Sequence, residues 1–306
     1  MSDTKPYRIK TITEFHRFKG LSKPEHPLIS VINVEDLKYG LDNGPFNFIY
    51  DFYCIALKRY CEGKFKYGQQ EYDFDEGTMF FISPNQVFGI DQAKAKAEKK
   101  TGWMLLVHPD FFWNTSLAKN IKQYQFFDYS VHEALFLSEK EELVMNNIAK
   151  NIEQEYRSNI DKFSQGVIIA QLELLLTYSE RFYERQFITR KINNHQILGR
   201  LEKILNDYFN NDELISKGLP SVHFVSETLN VSPNYLSSLL KVLTGQTTQH
   251  HIHNKLIEKA KEKLSTTELT VSEIAYELGF EHSQSFSKLF KAKTNSSPLE
   301  FRALFN

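Results

Sequence analysis

The chain has 306 residues, 41% of them hydrophobic and 25% charged, and a formal net charge of −1. This length predicts two domains, and the composition is that of an ordinary globular protein. The sequence argues against a membrane protein, since no run approaches the roughly 20 apolar residues of a bilayer span. The first residues lack the apolar core of a secretory signal, and Cys54 and Cys61 are expected to be free thiols. We therefore expect a cytoplasmic protein.

The first third of the chain predicts β-structure. Residues 1–45 are predicted to be irregular, since they contain four prolines and only one strand-like run, Ser30–Val34. From Phe46 onward, short runs rich in aromatic and β-branched residues alternate with turn signals, and Gly102–Pro109 closes the series. Many short strands at regular spacing predict a small barrel or sandwich.

The aromatic side chains of this region allow two interpretations. They line an apolar ligand pocket, or they fill the core; alternation alone favours the core. A metal site in this region is disfavoured because no histidine lies between His26 and His108. The charged run Lys94–Lys100 is interpreted as a solvated hairpin tip.

Helical patterns follow. Ser138 and Glu141 predict a capping box, and Asp161–Gln186 predicts a long amphipathic helix. Its apolar residues step by four and three, as in a coiled coil, and flanking leucines widen the apolar face. This stripe packs on its own barrel, contacts a second copy of the chain, or does both. Residues 187–197 are predicted to be the interdomain linker. The stripe consists of Ile168, Leu172, Leu175, Ser179 and Phe182.

The last third contains two short helices joined by a tight turn. Val271, Ile274 and Leu278 lie on one helical face, and Gly279 follows them, the residue type that accepts a left-handed turn without steric cost. A second helix buries Phe286, Leu289 and Phe290. This is the sequence pattern of a helix-turn-helix.

The same pattern occurs earlier, offset by 49 positions before the turn and by 50 after it. Asn230 occupies the position of Gly279, and Asn also tolerates the left-handed conformation. The segment Thr247–Leu264 predicts a helix between the two units that fixes the distance between their recognition helices. Its histidines invite a metal interpretation, which the absence of a Cys or carboxylate partner disfavours.

These motifs resemble the DNA-binding domain of the AraC family of transcriptional regulators, from about Leu201 to Phe305. The resemblance is carried by the runs VSETLNVSPNYLSSLLKVLTG and IAYELGFEHSQSFSKLFK, followed by SSPLEFR. The sequence departs from the family at Ser296 and Ser297, where a glycine is common nearby, so the shape of that loop is left open. The predicted strands that precede this region resemble the family's cupin-like effector domain in their position along the chain and in their series of short strand-like runs.

The resemblance implies an α+β protein. A small cupin-like β-barrel with helices is expected over residues 1–190, with the strands at about 30–108 and the helices at 109–190. An all-α domain with tandem helix-turn-helix units is expected over 196–306. The implied function is a transcriptional regulator, with no catalytic residues, cofactor or metal. The implied partners are double-stranded DNA, a second copy in a homodimer, a small-molecule effector and RNA polymerase. Two alternatives are a cupin-type enzyme with a helical appendage, which the missing histidines disfavour, and a helix-turn-helix module that binds protein.

The candidate DNA contacts are the residues of each recognition helix that remain once its core positions are removed. Asn and Gln pair with adenine, Lys reaches guanine, and Ser serves a base or a phosphate. The helix N-termini at Ser221 and Thr270 are expected to hold phosphates. The candidates are Pro233, Asn234, Ser237, Ser238, Lys241, His282, Ser283, Gln284, Ser285, Lys288 and Lys291.

The charge of this region is balanced. From Gln196 to the end there are 12 Lys or Arg and 12 Asp or Glu. Lys288, Lys291 and Lys293 are nevertheless grouped in the second recognition helix, so we infer a local basic face. Since phosphate neutralisation supplies most non-specific affinity, weak non-specific binding is expected.

Overall fold

The computed structural model describes residues 6–38, 45–60, 65–67, 70–72, 77–91, 100–130, 133–158, 161–189, 191–210, 214 and 217–305. The chain divides into two compact units, Met1–Gln186 and Phe187–Asn306, which we call the N-terminal and the C-terminal unit. Within the described residues, no helix has the length and apolar character needed to cross a bilayer.

The N-terminal unit is rich in strands. In chain order they are β1 (Tyr7–Ile9), β2 (Ile29–Asn33), β3 (Pro45–Tyr50), β4 (Tyr53–Tyr60), β5 (Phe65–Tyr67), β6 (Gln70–Tyr72), β7 (Thr78–Ile82), β8 (Val87–Asp91), β9 (Lys100–Val107) and β10 (Leu135–Phe136). Among the described residues they form three sheets, ordered β1-β3-β8, β10-β7-β4-β9-β2 and β5-β6. Closure of these strands into a barrel stays a prediction.

The helices are α1 (Ile12–Phe18), α2 (Leu117–Asn120), α3 (Glu139–Arg157), α4 (Ser164–Thr189), α5 (Lys191–Asn210), α6 (Val222–Leu229), α7 (Pro233–Thr244), α8 (Thr248–Thr266), α9 (Val271–Glu277), α10 (Ser283–Thr294) and α11 (Pro298–Arg302). The mixed α+β class predicted from the sequence is confirmed, with the strands in the first unit and only helices described in the second.

A core cluster joins the three-stranded and five-stranded sheets. It contains Phe48 and Tyr50 of β3 together with Cys54 and Ala56 of β4. Phe48, Tyr50 and Phe52 are each no more than 2% exposed, which supports the interpretation of the aromatic residues as core. Residues 92–99, which contain most of the predicted hairpin tip, lie outside the described residues, and so does Cys61.

The prediction of irregular structure before residue 45 was wrong at α1. Thr11 caps this helix: its hydroxyl accepts from the Glu14 N–H at 3.1 Å, and the Glu14 carboxylate accepts from the Lys10 N–H at 2.8 Å. Ile12 and Phe15 are fully buried. The sequence Thr-Ile-Thr-Glu carries this capping signal, which could have identified the helix.

The apolar stripe on α4 is packed inside the chain. All five predicted dimer residues are buried: Ile168 (2%), Leu172 (1%), Leu175 (0%), Ser179 (0%) and Phe182 (6%). Ser179 also donates its hydroxyl proton to the Leu175 carbonyl at 2.8 Å. The stripe is therefore core of its own chain, which corrects its assignment as a dimer contact.

The predicted linker at residues 187–197 begins where the second compact unit begins, and its role as a linker stays a prediction. Apart from residue 190, which is not described, this segment lies in α4 and α5. It contains neither proline nor glycine, so nothing in its sequence terminates a helix. The capping box of Ser138 and Glu141, in contrast, is present at the start of α3 as predicted.

The core of the C-terminal unit is built around α8. Ile252, Leu256, Ala260 and Leu264 are at most 2% exposed and belong to one cluster with apolar residues of α5, α6, α7, α9 and α10. The predicted stripe is confirmed, and α8 begins after Thr247 as expected. This helix therefore contacts elements of both helix-turn-helix units.

Candidate nucleic-acid interface

Both helix-turn-helix units make the same turn. In the first, Asn230 adopts a left-handed conformation (φ 58°) and the Val231 N–H donates to the Ser226 carbonyl at 3.0 Å. In the second, Gly279 has φ +82° and the Phe280 N–H donates to the Ala275 carbonyl at 3.0 Å. These bonds are 49 positions apart, and they satisfy the last carbonyls of the first helix in each unit.

The repeat continues past the end of each recognition helix. The hydroxyl of Thr244 donates to the Leu240 carbonyl at 2.8 Å, and Thr294 repeats this bond to Phe290 at 2.8 Å. Gly245 (φ 74°) and Asn295 (φ 61°) then occupy equivalent left-handed positions. Asn295 therefore supplies a left-handed turn directly before Ser296 and Ser297, where the sequence had left the shape of the loop open.

The second recognition helix presents the more open polar surface. Its candidates His282, Gln284, Ser285, Lys288 and Lys291 are exposed, and Ser283 is half-buried. Positions 284, 288 and 291 follow at intervals of four and three, so they share one helical face. Opposite this face, Phe286 and Phe290 are fully buried and hold the helix in place.

The first recognition helix is more enclosed. Pro233 and Lys241 are exposed, whereas Asn234, Ser237 and Ser238 are half-buried. The Ser237 hydroxyl lies 3.1 Å from that of Thr248, and Asn234 and Ser238 also have interactions within the chain. With one exposed lysine, this helix carries less positive charge on its surface than α10.

The two predicted phosphate-binding N-termini differ. Ser221 caps α6 by accepting from the Phe224 N–H at 3.0 Å. At α9 the Glu273 carboxylate accepts from the Thr270 N–H at 2.6 Å, and this hydrogen bond lowers the pKa of Glu273. A phosphate at Thr270 would meet that carboxylate, so Ser221 is the better of the two positions for a phosphate contact.

Two histidines of α8 lie within hydrogen-bonding distance of neighbouring threonine side chains. His250 lies 2.9 Å from the Thr247 hydroxyl, and His251 lies 2.9 Å from the Thr244 hydroxyl. Burial lowers the pKa of His253, and the nearby charge of Lys293 lowers it further. Lys293 is also exposed, but it lies two positions beyond Lys291 and so on a different side of α10, which leaves Lys288 and Lys291 on the face that carries Gln284. Where the structure is described, no group of three His, Cys, Asp or Glu is placed to hold a metal.

The comparison with known proteins agrees with this helix-turn-helix geometry. A family model described as a helix-turn-helix domain matches residues 225–304. An uncharacterized HTH-type transcriptional regulator of Pseudoalteromonas carrageenovora is 34% identical over 116 residues, which cover 38% of this chain and 64% of that protein. The HTH-type regulator YfiF of Bacillus subtilis is 24% identical over 263 residues, covering 84% of this chain and 78% of that protein.

Among solved structures, the C-terminal domain of AraT, a response regulator from Geobacillus stearothermophilus, is 32% identical. That match covers 35% of this chain and 84% of that chain, with a TM-score of 0.31. The matched family model begins within α6 and covers the rest of both helix-turn-helix units together with α8 between them. The relatives matched over 83% or more of this chain include the HTH-type transcriptional regulator YfiF and the HTH-type transcriptional activator RhaS. The C-terminal unit therefore carries an AraC-type helix-turn-helix domain, and the chain is similar over most of its length to HTH-type transcriptional regulators.

Proposed function

We propose that this regulator binds a specific DNA sequence by placing α7 and α10 in adjacent segments of the major groove. The observation that supports this most directly is the repeat itself: the same turn and the same helix end occur in both units, with α8 packed between them. Each recognition helix has an apolar face on the shared core and a polar face toward solvent. That is the arrangement in which a helix-turn-helix reads base edges.

We predict that Gln284→Ala and Lys288→Ala each weaken specific DNA binding by about 1–3 kcal/mol, the value of a good base contact. Both side chains are exposed, so the fold should be unaffected. The cognate site is first obtained by selecting bound fragments from random or genomic DNA, and fluorescence anisotropy on that site then measures the loss. Lys203→Ala removes the same charge from an exposed position on α5 and should bind like the unmodified protein.

The contrasting variant is Ile274→Asp. Ile274 is fully buried, so a carboxylate there should abolish binding by unfolding the unit, with a visible loss of helical circular dichroism. If Gln284→Ala and Lys288→Ala both bind the cognate site as tightly as Lys203→Ala, then α10 is not the reading helix.

The proposal includes a homodimer formed through a second stripe on α4. Phe163, just before α4, begins this stripe, which steps by four, three and four through Val167 and Ala170 to Leu174. All four side chains are exposed, with exposed fractions of 64% for Phe163, 42% for Val167 and 43% for Leu174. Such a spacing is typical of a coiled-coil contact.

We predict that the double variant Val167→Arg, Leu174→Arg is monomeric in light scattering, while Leu143→Arg remains dimeric. Leu143 is a suitable control because it is an exposed leucine, at 61%, on α3. A double variant that stays dimeric, or an unmodified protein that is monomeric when concentrated, contradicts the proposed contact.

In this proposal the N-terminal unit binds a small-molecule effector and the regulator acts in the cytoplasm. Contact with RNA polymerase, which the family resemblance implies, stays a prediction. The boundaries 1–190 and 196–306 for the sensing and DNA-binding domains are likewise part of the proposal.

A further inference from the structure

The first recognition helix is held on both of its flanks. On one flank of α7, the Ser237 hydroxyl lies 3.1 Å from that of Thr248, the first residue of α8. On the other flank, Tyr235 packs edge-to-face against Phe187, with the ring centres 5.2 Å apart and the ring planes at 75°. Residues two positions apart in a helix point about 200° away from each other. The two contacts therefore hold α7 from nearly opposite sides.

The polar face of α7 lies between these two contacts. Going around the helix from Ser237 to Tyr235 on the side away from the core, the side chains passed are Lys241, Asn234 and Ser238. A rotation of α7 about its own axis would move all of them together relative to a base edge. A contact on each flank opposes rotation in both directions, so the pair of contacts sets the direction in which this face points.

The aromatic contact comes from outside the helix-turn-helix repeat. Phe187 lies near the end of α4 and is 2% exposed, and it precedes residues 225–304, which the family model matches. The residue before it is held firmly: the side-chain amide of Gln186 donates to the Ala134 carbonyl at 3.2 Å and accepts from the Phe136 N–H at 2.8 Å. Phe187 is therefore presented by a helix end that is itself fixed.

The second recognition helix differs at the equivalent position. The offset of 50 that relates α7 to α10 puts Ser285 in the place of Tyr235, and Ser285 is exposed. A serine has no ring to pack against an aromatic partner, and this flank of α10 is open to solvent at that position. The contact with α4 thus distinguishes the first recognition helix from the second.

We propose that Phe187 is a positioning residue for the first recognition helix: by packing on Tyr235, it keeps α7 at the rotation in which its polar face meets the DNA bases. The inference rests on the proposed function, in which α7 and α10 each read one DNA element, and it deepens that function by assigning a residue outside the repeat to it. Loss of the contact should weaken reading by α7 and leave reading by α10 unchanged. The last turn of α4 is thereby part of the DNA-reading apparatus.

Binding of the full chain to two DNA probes tests this assignment. Each probe is the selected site with one of its two elements scrambled. The second-element probe keeps the element at which Gln284→Ala weakens binding, and the first-element probe keeps the other. Phe187→Ala and Tyr235→Ala should each weaken binding to the first-element probe about two- to tenfold, the contribution of one aromatic pair, and leave the second-element probe unaffected. The double variant should lose no more than one single variant, because both changes remove the same contact.

Three further variants separate positioning from a general loss of stability. Phe182→Ala removes another buried phenylalanine of α4, 6% exposed, and should leave the ratio of the two affinities unchanged. Tyr235→Phe keeps the ring and should bind both probes like the unmodified protein. Phe187→Leu keeps a large apolar side chain, so it preserves the fold even where Phe187→Ala does not. It should still weaken the first-element probe selectively, because leucine has no ring.

The proposal is overturned if Phe187→Leu and Tyr235→Ala bind the first-element probe like the unmodified protein, or if they weaken both probes equally. It is also overturned if Tyr235→Phe loses as much affinity as Tyr235→Ala, since the tyrosine hydroxyl and not the ring contact would then be responsible. Failure to select any site with two elements is a different result: it would remove the proposed function itself, and this inference with it.

Discussion

Gly279→Ala should destabilise the second helix-turn-helix unit severely and abolish DNA binding. Gly279 has φ +82°, and a Cβ atom there would lie 2.9 Å from the Leu214 carbonyl oxygen and 3.0 Å from backbone atoms of Gly218. The left-handed conformation costs about 1–2 kcal/mol for a non-glycine residue, and overpacking adds about 1–3 kcal/mol. We expect a total loss of about 2–5 kcal/mol in the free energy of unfolding.

The matched control is Gly245→Ala. Gly245 has nearly the same conformation, φ +74°, but no atom lies within 4 Å of the position its Cβ would take. Only the conformational cost of about 1–2 kcal/mol should appear. Chemical denaturation followed by circular dichroism at 222 nm measures both variants. If Gly279→Ala is no less stable than Gly245→Ala, the close approach of residues 214 and 218 does not constrain the turn.

The comparison of these turns shows how far local sequence signals reach. Asn230 was predicted to take the left-handed position from its alignment with Gly279, and it does so. The equivalence of Gly245 and Asn295 was missed, although Thr244 and Thr294 precede them with identical hydrogen bonds. A left-handed residue is set by bonds within a few positions, so such features can be predicted from sequence when the threonine and its following residue are read together.

Packing partners were harder to predict because periodicity identifies a buried face but not what buries it. The stripe through Leu172 and Leu175 has coiled-coil spacing, yet its own chain covers it. In the same way, Ser237 was assigned to the DNA face by subtraction, and its contact with Thr248 became visible only once α8 was in place. The burial of Lys19, which is 4% exposed at the end of α1, was missed for a related reason, because α1 itself had not been predicted.

The DNA site should contain two short sequence elements, one bound by α7 and one by α10. Their spacing should be fixed, because α8 holds the two recognition helices at one distance. This helix has 19 residues, Thr248–Thr266, and so is about 28 Å long at about 1.5 Å per residue. Its buried residues belong to the same cluster as those of α7 and α10, which fixes both recognition helices to one support. Such a length suits two major-groove segments about 34 Å apart, one turn of the duplex.

Inserting about five base pairs, half a turn of the duplex, between the two DNA elements should place them on opposite faces. One helix-turn-helix unit should then no longer reach the major groove. With each lost base contact worth about 1–3 kcal/mol, the affinity should fall at least about tenfold, and footprinting should show protection of a single groove segment. Insertion of a full turn, about ten base pairs, is the decisive control. It returns both elements to one face, so a flexible connection would recover the affinity, whereas a helix packed on both units permits one spacing and should not. Affinity that survives the half-turn insertion, or that returns with the full turn, would show that α8 does not set the distance between the recognition helices.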